Sequence, residues 1–342
     1  MKKELFGLIF LLFLTAFSPD AARAEASRTS SLLVEAETGR VLFSENAAEK
    51  RYPASLTKMM TLYLVFDALE KDEVSMDQLL TVSKKAAKMP RSRMGLKENT
   101  TISVENAIFA MISRSANDAA VVIAEGLAGS EAQFADKMTR VARELGMKNT
   151  RFKNASGLHN KDQVTTAQDM AILAMALIQH FPEYYKLFSV RGFRYGKRYY
   201  GNHNLVARFY KGGDGLKTGY VDAAGYHVVG SAIRNGRRLI GVVMGRNSVR
   251  ERDRHIFKLL DLGFAMLDDK TGKPAEPEDA PFFSPMKEEK TGTNEAEYRK
   301  LKLAAQKLSE SLDRISSVEQ SLQTEQSANV VKHALIDWGK KK

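Results

Sequence analysis

The sequence predicts an α+β fold in which strands from both ends of the folded region surround a helical middle. Residues 31–34 and 41–43 are apolar runs that flank a turn at Thr38-Gly39, which indicates a hairpin. Residues 226–233 and 238–244 flank Asn235-Gly236, the dipeptide that most favours a tight hairpin turn. Helical periodicity lies between the hairpins, in residues 107–112, 118–127, 131–145 and 167–178. We therefore expect one sheet that joins the two ends of the domain.

The N-terminus has the pattern of a secretory signal peptide. Met1-Lys2-Lys3 is basic, an apolar run extends from Leu5 to Phe17, and Ala22-Arg23-Ala24 is a small-x-small cleavage pattern. The run is shorter than the roughly 20 residues that span a bilayer, although an uncleaved anchor is the alternative. We expect cleavage after Ala24, and export to the periplasm or the outer face of the cytoplasmic membrane.

Composition narrows the chemistry that is available. The 342 residues include no cysteine, which excludes disulfides, a cysteine nucleophile and thiolate metal sites. The six histidines show no metal-ligand spacing, so neither a metal nor another cofactor is predicted. The formal charge of +11 suits an anionic partner, and export argues against nucleic acid. We assign residues 25–267 to one large domain.

The C-terminal region changes character. Residues 268–297 are rich in Pro, Glu, Lys, Asp and Thr and predict a charged linker. Residues 298–342 predict a helical tail, in which apolar residues recur every seven positions at Leu301, Leu308, Ile315 and Leu322. The tail is either a coiled coil with a partner or a single solvated helix.

The end of the tail carries a narrow apolar stripe. It is formed by Val331, Ala334, Leu335 and Trp338, and three lysines follow it at residues 340–342. Such a terminus can lie on an anionic membrane surface, whereas a partner-helix contact or a frayed end is the alternative.

The pair Ser55 and Lys58 suggests nucleophilic catalysis. The two residues stand three positions apart, after Pro53 and before an apolar helical run, so they share one helix face. A desolvated, neutral lysine can take the proton of a serine hydroxyl, and a helix N-terminus favours an oxyanion. Ser-x-x-Lys alone is common by chance.

Two further motifs strengthen this interpretation. Ser115-Ala116-Asn117 precedes a helical run, where helix capping is the simpler explanation. Lys217-Thr218-Gly219 follows a glycine cluster, where a strand after a turn is the simpler explanation. A phosphate-binding Walker loop is rejected because Leu216 interrupts the motif and the residues that follow look extended.

The three motifs in this order form the signature of serine penicillin-recognising enzymes. Over residues 30–264 the sequence resembles the low-molecular-mass D-alanyl-D-alanine carboxypeptidases, the S11 peptidases. The stretches that carry the resemblance are residues 52–58, 152–158, 165–171, 202–205 and 214–220. The resemblance implies a β-lactamase/transpeptidase-like domain, with a helical subdomain on a five-stranded antiparallel sheet flanked by helices.

The resemblance also implies the reaction. Ser55 would attack the carbonyl of the penultimate D-alanine in a peptidoglycan stem peptide, Lys58 would accept its proton, and Ser115 would relay a proton to the departing amine. β-Lactams would be covalent inhibitors.

The remaining roles would be in substrate binding. Asn117 would bond the peptide, Lys217 would keep the site positive, and the N–H groups of Ser55 and Tyr220 would hold the oxyanion beside Gly219. Thr218 and Arg252 would bind the terminal carboxylate, with Arg246, Arg250 and Arg254 as rivals of Arg252.

Three alternatives stay open at this point. Carboxypeptidase and endopeptidase activity on cross-links share one mechanism, which the sequence does not separate. A class A β-lactamase requires a Glu-x-x-x-Asn loop, and the nearest candidate, Glu144 to Asn149, is one residue too long. A non-catalytic wall-binding protein would not need the intact motifs. A Ser-His-Asp hydrolase lacks its Gly-x-Ser-x-Gly elbow.

Overall fold

The computed structural model describes residues 29–268. The predicted signal peptide (residues 1–24), the linker (268–297) and the tail (298–342) lie outside these residues, except for Asp268 at the end of the last helix, and those assignments remain predictions. None of the helices formed by the described residues is long and apolar enough to cross a membrane.

A five-stranded antiparallel sheet organises the domain. Its strands are β1 (Ser30–Glu35), β2 (Val41–Glu45), β7 (Gly213–Val221), β8 (Gly225–Arg234) and β9 (Arg237–Arg246), in the order β2-β1-β9-β8-β7. Strand β1 lies between β2 and β9, with Leu32 opposite Val242, so the two ends of the domain meet as predicted. Both predicted hairpins are confirmed, and Asn235 and Gly236 have the positive φ angles (51° and 74°) that a tight turn needs.

Helices fill the middle of the sequence. They are α1 (Lys58–Glu70), α2 (Lys84–Ala87), α3 (Val104–Phe109), α4 (Asn117–Ala128), α5 (Glu131–Glu144), α6 (Ala167–His180), α7 (Pro182–Tyr185), α8 (Leu205–Phe209) and α9 (Val249–Asp268). The four helices predicted there correspond to α3, α4, α5 and α6. The first of these ends early, because residues 110–114 form a π-helical turn. Two small two-stranded sheets were not predicted: β3 (Leu79–Thr81) with β4 (Thr101–Ser103), and β5 (Gly192–Tyr195) with β6 (Arg198–Gly201).

The sheet separates two hydrophobic cores. Leu32 and Val34 point into the larger core with α1, α4 and α6, whereas Leu33 points into the smaller core under α9. This alternation follows from the pleat of β1, where successive side chains face opposite sides. Because α1 is apolar nearly all round, it can be buried on all sides in the larger core. Lys58 is the first residue of this helix and Ser55 lies just before it, close to the edge strand β7.

His227 ties the sheet to the segment before Ser55. Its ring is fully buried on β8; Nε2 donates to the Tyr52 carbonyl at 3.0 Å, and Nδ1 accepts from the Gly245 N–H at 2.9 Å. These partners define the neutral Nε2–H tautomer, because a proton on Nδ1 would face another donor. Burial lowers the pKa of His227 to about 4.

We expect this histidine to make the fold acid-sensitive. Since its folded pKa lies below the unfolded value, the unfolded chain binds more protons between about pH 6.5 and pH 4, and stability falls as the pH falls. From pH 7 to pH 5 the loss is about 2 kcal/mol. His227→Asn keeps an acceptor for the Gly245 N–H but does not titrate. Urea unfolding of this variant at pH 7 and pH 5 should show a loss of unfolding free energy that is smaller than that of the wild-type protein by about this amount. An unchanged loss would contradict the assignment.

Candidate active site

Ser55 lies in a single 3-10 turn, Ala54–Thr57, immediately before α1. The turn is held on three sides. His227 bonds Tyr52, the backbone of Arg51 pairs with that of Thr165, and β7 presses against the turn at Gly219, where a Cβ would lie 3.2 Å from the Ser55 nitrogen. The nucleophile therefore sits on a rigid element between the sheet edge and the helices.

Lys58 is fully buried, and three groups surround its Nζ. The distances are 3.2 Å to Ser55 Oγ and 2.8 Å to Asn117 Oδ1, and the third partner is the Ser156 carbonyl. A neutral amine has two N–H donors and one lone pair. Asn117 Oδ1 and the Ser156 carbonyl can only accept, so they take both N–H groups and leave the lone pair facing the Ser55 hydroxyl. This is the geometry of a general base acting on Ser55.

The electrostatic surroundings favour the neutral form of Lys58. Burial lowers the pKa of Lys58 well below its usual range, and the charge of Lys217 lowers it further, against the opposing effects of Asp118 and Glu131. Lys217 is itself only 1% exposed, and burial, followed by the charge of Arg252, lowers its pKa to about 7.

Asn117 is fixed in the orientation that the base requires. Its Nδ2 donates to the carbonyls of Pro90 (3.1 Å) and Arg91 (3.0 Å), and its backbone N–H donates to Ser92. The oxygen of the amide must therefore be the atom that faces Lys58. The resemblance implied that this side chain bonds the substrate, which stays a prediction; in the structure its oxygen positions the lysine.

Ser115 follows the π-helical turn in the left-handed conformation, with φ 58° and ψ 37°. Its Oγ lines the cleft and is buried without a hydrogen-bond partner among the described residues. A strained backbone and an unsatisfied hydroxyl at one position are typical of a functional site.

Next to Asn117, the buried Asp118 carboxylate accepts the N–H groups of Met94, Gly95 and Leu96 and so holds the loop that bonds Asn117.

Two adjacent residues of the site were missed as functional residues. The Ser156 carbonyl accepts a hydrogen bond from Lys58 Nζ. Gly157, at φ +84°, lies so close to the Ser55 turn that a Cβ on it would be 1.8 Å from the Ala54 carbonyl oxygen. Both lie in the stretch 152–158 that carried the resemblance, but a main-chain contact leaves no mark in the side-chain pattern.

The cleft has a volume of about 580 Å³. Ser55, Ser115 and Asn117 lie on its helical side, and Thr218, Gly219 and Tyr220 of β7 form the opposite edge. Lys217 lies beneath this edge, with Nζ 2.8 Å from the Thr218 carbonyl. The structure thus brings the three motifs together, although they are far apart in the sequence.

Arg252 is the arginine of its cluster that reaches the cleft. It is buried at the start of α9 and bonds the neighbouring Asp253 carboxylate through Nε (2.8 Å) and Nη2 (2.9 Å). Its rivals are placed elsewhere: Arg246 bonds His255, and Arg250 and Arg254 are exposed outside the cleft lining.

The cleft is lined by cations and, among the described residues, by no carboxylate. Arg91 and Arg208 join Arg252 on its walls. His203 also lines the cleft; burial, then the charges of Lys217 and Arg114, lower its pKa to about 4. Such a site attracts an anionic ligand. Together with a serine beside a buried lysine whose pKa is lowered, it defines a serine hydrolase with a lysine general base.

Comparison with known proteins identifies the family. The family model for D-alanyl-D-alanine carboxypeptidase, the S11 peptidases, matches residues 15–248. The D-alanyl-D-alanine carboxypeptidase DacF of Bacillus subtilis is 36% identical over 282 residues, which cover 78% of this chain and 72% of the relative. The chain belongs to the S11 peptidase family.

Solved structures agree with this assignment. Penicillin binding protein 5 from Haemophilus influenzae is 36% identical with a TM-score of 0.67, over 69% of this chain and 70% of that one. Penicillin-binding protein D2 from Listeria monocytogenes, in an ampicillin-bound form, is 32% identical with a TM-score of 0.64, over 69% of this chain and 96% of that one. The predicted family, fold and enzyme class are confirmed.

We expect Lys217 to set the pH range of the base. Since its charge lowers the pKa of Lys58, Lys217→Gln should raise that pKa and move the acidic limb of the pH–rate profile to higher pH. The rate at the optimum should fall about 100-fold, because the charge that stabilises the oxyanion is lost. The rate of acylation by penicillin, followed across pH, measures both effects. Arg208→Gln removes a cleft charge that does not act on Lys58, so an equal displacement of the limb in both variants would refute this role.

Proposed function

We propose that the protein is a serine-type D-Ala-D-Ala carboxypeptidase that removes the terminal D-alanine from peptidoglycan stem peptides through an acyl-enzyme on Ser55. The observation that carries this proposal is the coordination of Lys58, whose two N–H groups are occupied by acceptors so that its lone pair faces Ser55. Family membership supplies the substrate class, and the cationic cleft suits a peptide that ends in a carboxylate.

Acylation follows from the placement of the side chains. Ser55 Oγ attacks the carbonyl carbon of the penultimate D-alanine while its proton passes to Lys58 Nζ. The oxyanion lies between the N–H groups of Ser55 and Tyr220, where Gly219 lets β7 come close to the turn. As the C–N bond breaks, Ser115 Oγ gives its proton to the leaving amine and is reprotonated from Lys58. D-Alanine leaves, and the ester on Ser55 remains.

Deacylation repeats these steps with water. Lys58, neutral again, takes a proton from the water that attacks the ester carbonyl, and the proton is returned to Ser55 Oγ. Thr218 and Arg252 hold the carboxylate of the leaving D-alanine in the first half of the cycle. A β-lactam would acylate the same serine, and its ring-opened product would stay in the cleft; the Listeria relative was solved with ampicillin bound.

Carboxypeptidase activity is favoured over cleavage of cross-links. A D-alanyl-D-alanine endopeptidase of Escherichia coli is 29% identical over 240 residues, below the 36% of the carboxypeptidase relative. Purified protein should shorten stem pentapeptides by one alanine, which mass analysis of released muropeptides detects. Conversion of cross-linked dimers to monomers, with pentapeptides left intact, would establish the endopeptidase instead.

The remaining alternatives predict different behaviour toward penicillin. A class A-like β-lactamase would hydrolyse it repeatedly at a rate comparable with peptide turnover, and a non-catalytic wall-binding protein would not be labelled at all. We expect labelling that persists, because the ring-opened drug in the cleft blocks the approach of water to Lys58, and no carboxylate among the described residues lines the cleft as another base.

Export and membrane attachment are further parts of the proposal. Residues 1–24 would direct the chain out of the cytoplasm, and the tail after residue 297 would bring the enzyme to a membrane surface or to a coiled-coil partner. We expect deletion of residues 329–342 to release the mature enzyme from vesicles that contain anionic lipid, while turnover of a soluble peptide is unchanged. Sedimentation with vesicles measures this, and equal binding by both proteins would eliminate the membrane role.

A further inference from the structure

A second cavity of about 500 Å³ lies beside the active-site cleft. Tyr220 and Tyr226 line both cavities, and their rings are 4.3 Å apart. On its other walls are Lys50 and Arg51, which precede the Ser55 turn, and Asp222, which follows β7. The two cavities are therefore neighbouring parts of one surface, divided by this tyrosine pair.

The proposed reaction gives this surface a direction. Thr218 and Arg252 hold the carboxylate of the leaving D-alanine, and the Tyr220 N–H holds the oxyanion. Moving along β7 from Thr218 to Tyr220 thus runs from the leaving group to the acyl group. An extended peptide beside β7 advances about 3.3 Å per residue, so the residue before the two D-alanines comes level with Val221, next to Asp222. A long side chain on that residue would then reach past the tyrosine pair into the second cavity.

This cavity is lined by charged side chains of both signs, and two of them make no salt bridge with any residue that the structure describes. Lys50 and Asp222 are both exposed, and among the described residues no salt bridge joins either of them to a partner. One oxygen of Asp222 accepts the Tyr220 hydroxyl at 2.5 Å, which holds the carboxylate at the tyrosine pair. Arg51 is fixed by a bond from Nε to Ser30 Oγ (3.0 Å) and by the pairing of its backbone with Thr165.

We propose that this cavity binds the side chain of the residue that precedes D-Ala-D-Ala, and that it selects a side chain ending in both an ammonium and a carboxylate group. Asp222 pairs with the ammonium group, and Lys50, supported by the fixed charge of Arg51, pairs with the carboxylate. A side chain with an ammonium group alone would satisfy Asp222 but bring no anion to Lys50. This inference rests on the proposed carboxypeptidase reaction, to which it adds a specificity determinant.

Four peptides that differ only at this residue separate the two charges. The residue is norleucine (no charge), lysine (ammonium), 2-aminopimelate (carboxylate) or 2,6-diaminopimelate (both), and kcat/KM is measured by release of D-alanine. Because exposed ion pairs contribute little, we expect the diaminopimelate peptide to exceed each singly charged peptide by about two- to fivefold.

The variants assign each charge to its residue. Lys50→Ala should abolish the preference for diaminopimelate over lysine and leave its preference over 2-aminopimelate. Asp222→Asn, which keeps an oxygen for the Tyr220 hydroxyl, should do the reverse. Lys97→Ala, an exposed lysine outside both cavities, should change neither ratio. An unchanged rate on the norleucine peptide shows that each variant retains an intact active site.

The outcomes distinguish this inference from the reaction on which it rests. Equal turnover of all four peptides, or preferences that survive in both variants, would overturn the charge selection and leave the carboxypeptidase intact. Failure to release D-alanine from any peptide would overturn the proposed reaction, and this inference with it.

Discussion

Replacing Ser55 by alanine is expected to reduce D-alanine release by at least about 10⁴-fold and to abolish covalent labelling by penicillin. Among residues 29–268, Ser55 carries the hydroxyl bonded to Lys58 Nζ, whose other two partners are Asn117 Oδ1 and the Ser156 carbonyl. Rate assays and labelling with a fluorescent penicillin measure the two losses.

The fold should survive this substitution. Within the part of the chain that the structure describes, Ser55 Oγ bonds Lys58 alone, and the loss of this bond should change the unfolding temperature by no more than about 2 °C. Ser92→Ala is the matched control, since this serine also lines the cleft but makes contact with Asn117 through its backbone carbonyl. Labelling of the Ser55 variant at the normal rate, or equal losses in both variants, would exclude Ser55 as the nucleophile.

Replacing Gly157 by alanine should have the second-largest effect. The new Cβ would lie 1.8 Å from the Ala54 carbonyl oxygen and 2.9 Å from the Ser55 nitrogen, so the backbone must move. The move displaces the nucleophile on one side and the Ser156 carbonyl, which holds Lys58, on the other. Because a displacement of about 1 Å can cost about 100-fold in rate, we expect at least that loss in kcat/KM for D-alanine release.

A second glycine separates the clash from backbone strain. Gly146 has nearly the same φ, +91° against +84°, but its Cβ would meet nothing within 4 Å. Gly146→Ala should therefore cost only about 1–2 kcal/mol of stability, from the left-handed conformation, and leave kcat/KM unchanged. Similar rates for the two variants would show that the contact of Gly157 with the turn is not needed for catalysis.

Much of the fold could be predicted because its signals are local. Asn235-Gly236 specifies a hairpin turn by its own conformational preference, and the periodicity of residues 118–127 and 131–145 places α4 and α5 almost to the residue. The early end of α3 was missed, because the π-helical turn before Ser115 has no such local signal.

The chemical groups of the site were also accessible from the sequence. Ser55 and Lys58 are three residues apart at a helix start, so local geometry alone places them together. Ser115, Asn117 and Lys217 were identified by their motifs and their order, and the structure places all of them around one cleft.

Only the tertiary structure decided how these groups work. The Ser156 carbonyl that orients Lys58 lies 98 residues away in the sequence, and it is a main-chain atom that any residue type would provide. Arg252 could not be separated from Arg246, Arg250 and Arg254, because all four have the same side chain and only the packing of the end of β9 and the start of α9 selects the one that faces the cleft. The sequence by itself determined which reactive groups are present and which local elements carry them. The lowered pKa of Lys58, which favours its use as a base, was decided by burial and by the nearby charge of Lys217, which exist only once distant segments have packed together.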